Sequence, residues 1–569
     1  MKTGPLQLLS LCFVLLLAAI SFSADHDSQT ATARSLFDRN VAVRMRDGVV
    51  LRADVLRPSD GGKFPTLVYR TPYGKDAAQE EYTTFRRALE RGYAVVIVDV
   101  RGRYHSAGEF RPYENEGRDG YDTIEWAAAQ PWSNGAVGTF GLSYPGAVQW
   151  LAAVESPPHL KAMVPAMTFS TAQNFFYAGG TWDLSWIEWI WDNLAWDVRV
   201  KKNLPGPRTE QEALGAWKDM GTKMLETLPL NAVEPLRQVA PYYNDWLKHP
   251  AEDPWWDWSE LRNKYGRTQA AVLNLSAWYD DNYGPEGATT NFAGLLKARA
   301  GERDPRTHLL LGPWVHGVAS TGKTKSGERE FGTPAIIDYD DVVLRWMDHY
   351  LKGIDNGVER EKPVRYFVMG RNEWREAEAW PPAGQKMTFR LGSAKTGERI
   401  GTLAVQAVES RVGFSQFSSD PANPVMNEYA SSGAHDYRKL ADRDDVLTFD
   451  SAMLDSGAYV RLLRLSGLRS VGAVARCRAG WNGIQSDESG TGCCAGELSR
   501  YVARASMASA GSRVSDLAAE FDYQQCVFKG TSDAGAGLRE FRAELCSKLA
   551  DREVRDHECG DEEGADSDL

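Results

Sequence analysis

The sequence predicts an α/β fold built on a parallel sheet, interrupted by a helical insertion and followed by a separate β domain. Helix and strand signals alternate through the first part of the chain, the pattern of a parallel sheet covered by helices. Several strand signals, at residues 93–100, 271–276 and 307–311, are continuous apolar runs of the kind buried on both faces. Past Pro381 the pattern turns to short strands, from Met387 onward.

In chain order, residues 41–46 and 49–56 alternate apolar and polar side chains around Asp47-Gly48, which predicts a β-hairpin. A strand at 64–70 ends in Thr71-Pro72-Tyr73-Gly74-Lys75. A helix at 81–91 leads into the strand at 93–100. Residues 120–130 have helical spacing, a short strand at 137–140 runs into Gly141, and a helix follows at 147–154. Residues 163–262 are rich in Trp and helical in period, and such an insertion commonly covers the edge of the sheet and shapes a pocket. Its aromatic side chains are expected mainly to pack against one another. The sheet resumes at 263–385, with an amphipathic helix at 340–351, and a β domain begins at 386–460.

Composition narrows the function. With 65 Lys and Arg against 77 Asp and Glu, the net charge of −12 gives no nucleic-acid footprint. Residues 8–20 are mostly apolar, preceded by Lys2 and followed by Ser21-Phe22-Ser23. This predicts a signal peptide cleaved after Ser23 and a secreted or periplasmic protein, the run being too short to span a membrane. Apart from Cys12, every cysteine (Cys477, Cys493, Cys494, Cys526, Cys546 and Cys559) falls in 461–569. That segment has no Pro, only Trp481 of the 19 Trp residues, and an acidic end. It is expected either to be read in a shifted frame or to be a disulfide-bonded extension. With no H-E-x-x-H and the cysteines confined there, neither a metal nor an organic cofactor is expected.

Gly141-Leu142-Ser143-Tyr144-Pro145-Gly146 joins a strand to a helix, where a tight turn can expose a nucleophilic hydroxyl. Alone, a Ser in a Gly-flanked turn is as well explained by structure. Asp280 directly follows one buried strand and His316 another, so the order Ser, Asp, His is that of an α/β-hydrolase. In that arrangement His takes the Ser proton while the carboxylate orients the imidazole. Asp280 also suits an Asx turn or a helix cap. Asp281 is a rival carboxylate; His308, at a strand start, and His349, within a helix, are rival bases.

These residues fall within a wider resemblance. Met45-Arg46-Asp47-Gly48, Arg70 to Lys75, Asp99-Val100-Arg101-Gly102-Arg103, Gly120 to Trp126, Gly141 to Gly146, Trp278-Tyr279-Asp280, Gly312 to His316 and Leu351 to Gly357 resemble the cocaine esterase-like (CocE/NonD) serine hydrolases. These are relatives of the X-Pro dipeptidyl-peptidases and α-amino-acid ester hydrolases. The resemblance covers about residues 41–460. It implies an α/β-hydrolase with a helical cap and a C-terminal jelly roll; residues 461–569 depart from the family pattern, so the jelly roll is expected to be incomplete or aberrant after about residue 460. It implies Ser143 as nucleophile, His316 as base and Asp280 as its partner, with an oxyanion hole from the Tyr144 N–H and the Tyr73 phenol. Where α-amino-acid ester hydrolases carry carboxylates for a substrate ammonium, this chain has Asn282 and Tyr283, which weakens that reading unless Asp281 or Glu286 substitutes. The expected function is cleavage of a small ester or amide through an acyl-enzyme. The alternatives are X-Pro dipeptidyl-peptidase activity on peptides and a non-catalytic exported binding protein.

Overall fold

The computed structural model describes residues 35–384, apart from 172–174, 178–181, 252 and 300–303, and beyond them 390–392, 400–404, 429, 431–451, 465–466, 473–476 and 520–521. The expected signal segment and the six cysteines of 461–569 lie outside the described residues.

The expected hairpin is β1 (Ser35–Arg44) and β2 (Val50–Pro58), paired antiparallel with Val43 opposite Leu51. After β3 (Phe64–Thr71) come helices α1 (Lys75–Glu81) and α2 (Thr84–Glu90), then β4 (Ala94–Asp99), α3 (Glu116–Ala128), β5 (Ser133–Leu142), α4 (Tyr144–Ala153) and β6 (Leu160–Ala166). The cap follows: α5 (Ser185–Ile190), a π-helical turn Trp191–Ala195, α6 (Trp196–Lys202), α7 (Glu210–Leu225) and α8 (Pro241–Lys248). The sheet resumes with β7 (Ala271–Tyr279), α9 (Glu286–Ala298), β8 (Thr307–Val315), the small ribbon β9 (Lys325–Ser326) and β10 (Arg329–Glu330), α10 (Tyr339–Lys352), β11 (Val364–Val368) and β12 (Glu373–Ala377).

Ten of these strands form one sheet in the order β1-β2-β4-β3-β5-β6-β7-β8-β11-β12. The run from β4 to β11 is parallel, and β1, β2 and β12 are antiparallel edges. Strand β4 shows why its sequence is apolar up to Asp99. Val96 and Val98 pack on one face with Ile124 of α3 and Val148 of α4, while Val95 and Ile97 pack on the other with Phe85 of α2 and Val343 of α10. Among the described residues no helix is long and apolar enough to cross a membrane.

Two expectations need correction. The helix expected at 81–91 is the shorter α2, Thr84–Glu90, because α1 ends at Glu81 and the chain turns extended at Tyr82 (φ −101°, ψ 106°), burying its ring against Tyr69 and Phe85. The Thr83 and Thr84 hydroxyls after the break both bond the Asp340 carboxylate of α10. The sheet also extends past residue 162: β6 pairs with β5 and β7, so the insertion begins after Ala166. Within it, Trp182, Trp186, Trp246 and Trp256 are buried among themselves and Phe176, as expected of packing aromatics. Beyond the large sheet, Arg390–Gly392, Ile400–Ala404, Leu447–Ser451 and Ala473–Arg476 form a four-stranded sheet.

Candidate active site

Ser143 stands between the end of β5 and the start of α4 with φ 70° and ψ −128°. That left-handed backbone costs a non-glycine residue about 1–3 kcal/mol and persists only where the surroundings fix it. Here Ser143 N–H donates to the Ala166 carbonyl at 3.0 Å, and the Ser143 carbonyl accepts from Gly146 and Ala147 N–H at 2.9 and 3.0 Å. The flanking glycines are steric necessities. A Cβ on Gly141 would lie 2.6 Å from Pro145 Cβ, and one on Gly146 would lie 2.7 Å from the Ala166 carbonyl oxygen. Pro145 falls in the first helical turn, where its missing N–H leaves nothing unpaired.

Tyr144 is the first residue of α4, so its N–H has no acceptor within the helix and is available beside Ser143. Its side chain turns into the core. The phenol donates to Glu116 Oε1 at 2.9 Å and accepts from Tyr113 N–H at 2.9 Å, and the two Tyr rings stack at 4.2 Å. Arg70 Nη2 meets the other Glu116 oxygen at 2.6 Å, a buried ion pair. Burial drives the Glu116 carboxyl upward from its ordinary pKa, with Arg70 pulling it back.

Asp280 follows β7 and His316 follows β8, at the same edge as Ser143 because the strands are parallel. Asp280 Oδ1 accepts from His316 Nδ1 at 2.9 Å and from the N–H groups of Asn282 and Tyr283, both at 3.1 Å. The carboxylate is fully buried and the imidazole 18% exposed. A carboxylate at Nδ1 holds the proton there and leaves Nε2 as the acceptor, the tautomer that general-base chemistry needs. The Asx turn and the histidine contact are therefore made by the same oxygen.

Tyr73 lies in the turn after β3, half-buried, with its ring 6.4 Å from that of Tyr144. Burial pushes its phenol up to about 12, opposed by the hydrogen bond from Trp189 and by the neighbouring Ser143 hydroxyl. Trp189 Nε1 donates to Tyr73 Oη at 3.2 Å. Tyr283, not among the expected catalytic residues, also stands beside Ser143. Its phenol lies 3.4 Å from that of Tyr113, while its ring stacks on Phe175 at 4.0 Å and lies 5.5 Å from the His316 ring. Burial drives this phenol well above its usual range.

The rivals are elsewhere. His308 is buried at the start of β8 with its ring 5.1 Å from Trp346, and His349 Nδ1 meets the Ile354 carbonyl at 2.8 Å on α10. Asp281 accepts from the Ser432 hydroxyl, and Glu286 opens α9. Glu116, Tyr113 and Trp189 had no distinguishing signal in the sequence, and Arg70 and Tyr283 were marked only through the family resemblance, without a role at the site; Trp189 is one among many tryptophans of the cap.

Residues 47–318 match the family model described as X-Pro dipeptidyl-peptidase (S15 family), and residues 356–460 match that of the X-Pro dipeptidyl-peptidase C-terminal non-catalytic domain. Over 441 residues the chain is 31% identical to a cocaine esterase of Rhodococcus sp. (strain MB1 Bresler), covering 73% of this chain and 74% of that protein. The chain belongs to the S15 family. It is accordingly a serine hydrolase, of the ester-hydrolase or dipeptidyl-peptidase kind. Solved structures agree on the fold of this S15 member. An aminopeptidase from a marine sediment Thaumarchaeota archaeon superposes with a TM-score of 0.59 at 20% identity, over 77% of this chain and 75% of the other. An α-amino-acid ester hydrolase gives 0.51 at 22% identity, over 77% and 76%. The second family match ends at residue 460, where the composition changes and the expected aberrant or disulfide-bonded tail begins.

Proposed function

We propose that this hydrolase cleaves carboxylic esters through an acyl-enzyme on Ser143, with His316 as base and Asp280 as its orienting partner. The observation that carries the reading is the 2.9 Å contact of His316 Nδ1 with Asp280 Oδ1, at the sheet edge where Ser143 sits in its strained turn. Ser143 Oγ attacks the carbonyl carbon as its proton passes to His316 Nε2. The carbonyl π electrons move onto oxygen, where the Tyr144 N–H and the Tyr73 phenol stabilise the charge. Collapse of this intermediate breaks the bond to the leaving oxygen, which takes the proton from His316. Water then repeats the sequence on the acyl-enzyme, releasing the acid and restoring Ser143. Likeness to a cocaine esterase supports an ester as substrate, and the family model's name makes an X-Pro dipeptide amide the second reading.

Turnover of p-nitrophenyl acetate and of Ala-Pro-p-nitroanilide, beside Ser143→Ala, tests this. Ester turnover is expected, falling by at least about 10⁴ in kcat in the mutant. Anilide turnover exceeding ester turnover would replace the esterase reading with the dipeptidyl-peptidase one. Turnover of neither by folded protein would favour a binding protein on a hydrolase scaffold.

The apolar segment at 8–20 supports export, with the mature chain beginning at Ala24. N-terminal sequencing of protein recovered outside the cytoplasm checks this, and an intact Met1 start there would contradict it.

A further inference from the structure

Arg103 is fully buried, and its guanidinium bridges the hydrolase body and the cap. Nε donates at 2.7 Å to the carbonyl of Pro72, the peptide unit that leads into Tyr73. Nη1 donates to the Leu194 carbonyl at 2.9 Å and Nη2 to the Asn193 carbonyl at 3.1 Å, both in the π-helical turn of the cap. Asp197, one turn further on, lies 3.4 Å from Nη1 and balances the charge, while the Tyr104 and Phe110 rings flank the guanidinium.

The chain of contacts closes on the Tyr73 phenol. Asn193 Nδ2 donates to the Trp189 carbonyl at 3.1 Å, and Trp189 Nε1 donates to Tyr73 Oη at 3.2 Å. Arg103 thus holds the Tyr73 backbone from one side and, through the π turn, the indole that bonds the phenol from the other. The clasp is reciprocal. Cap residue Lys201 donates to the Gly102 and Ser106 carbonyls at 2.9 and 3.0 Å, and Tyr104 N–H donates to Asp197 Oδ2 at 3.2 Å. Departures from α-helical winding recur at functional sites, and this π turn supplies the two carbonyls that Arg103 grips.

We infer that Arg103 and Trp189 are positioning residues for Tyr73, through which the cap sets the geometry of the oxyanion hole. The inference rests on the reading of Tyr73 as an oxyanion donor. A phenol has one proton to give, and the Trp189 N–H occupies one acceptor position of the Tyr73 oxygen, which fixes the ring while the O–H stays available to the substrate side. Such a donor acts only within about 2.7–3.1 Å of the developing oxyanion, and a misplacement of about 1 Å can cost about 10²-fold in rate.

The test is a double-mutant cycle on p-nitrophenyl acetate turnover, with Arg103→Lys and Trp189→Phe made alone and combined with Tyr73→Phe. Each single change is expected to lower kcat by about 10- to 100-fold, with KM changed by no more than about twofold. In the Tyr73→Phe background, each is expected to cost less than about a further twofold, because the group it positions is gone. Trp189→Phe keeps an aromatic ring in place and carries the test if Arg103→Lys does not fold. Unchanged kcat in folded Trp189→Phe, or undiminished losses in the Tyr73→Phe background, would overturn the inference and leave Arg103 a packing residue. Unchanged kcat in Tyr73→Phe alone would instead overturn the oxyanion reading, and the inference with it.

Discussion

At Asp280 a single carboxylate oxygen accepts from His316 Nδ1 and from two backbone N–H groups, all at 2.9–3.1 Å, inside a fully buried environment. The backbone donors fix the carboxylate independently of the histidine, so the imidazole is oriented by a rigid partner. Asp280→Asn retains an oxygen for the turn but removes the negative charge that stabilises the imidazolium. It is expected to lower kcat by about 10³–10⁴ with little change in melting temperature. Activity within tenfold of wild type, measured on the folded variant, would remove Asp280 from the proposed triad. At Tyr73 burial holds the phenol protonated up to about 12, so it stays a hydrogen-bond donor through neutral and mildly alkaline pH.

Among the elements, α10 shows how capping and charge combine. Asp338 caps it by accepting from Asp341 N–H at 3.0 Å and meets Arg87 Nη1 of α2 at 2.6 Å. The Arg87 hydrogen bond holds the Asp338 carboxyl below its ordinary pKa, against a smaller opposing effect of burial. Because the folded value lies below the unfolded one of about 3.9, this pair stabilises the fold above that pH and ceases to do so as pH falls through the folded value. Asp338→Asn keeps the cap and removes the charge. Urea midpoints should show it less stable than wild type at pH 7, by under about 1 kcal/mol for so exposed a pair, with the difference shrinking at pH 3. An equal difference at both pH values would mean that the ion pair is not its source. Continuous apolar runs marked β4, β7 and β8 because both of their faces are buried. The break at Tyr82 was hidden because its cause is a tertiary contact with Tyr69. Pro165, which reads against a strand, sits inside β6 opposite Gly141.

Across the whole molecule, the parallel sheet brings Ser143, Asp280 and His316 to one edge from positions far apart in the chain, and the cap closes over them through Arg103 and Trp189. The three edge residues were legible because each directly follows a strand signal, so topology alone could unite them. Glu116, Arg103, Trp189 and Tyr283 were not, because their significance lies in side-chain contacts that no spacing encodes. On the proposed mechanism Ser143 carries the acyl group. The most direct test of this is peptide mapping by mass spectrometry after inactivation with phenylmethylsulfonyl fluoride. The expected result is one sulfonyl adduct, on the peptide containing Ser143, accumulating in proportion to lost ester turnover and absent from Ser143→Ala. Stoichiometric labelling of a different residue, or full turnover by protein labelled at Ser143, would contradict it.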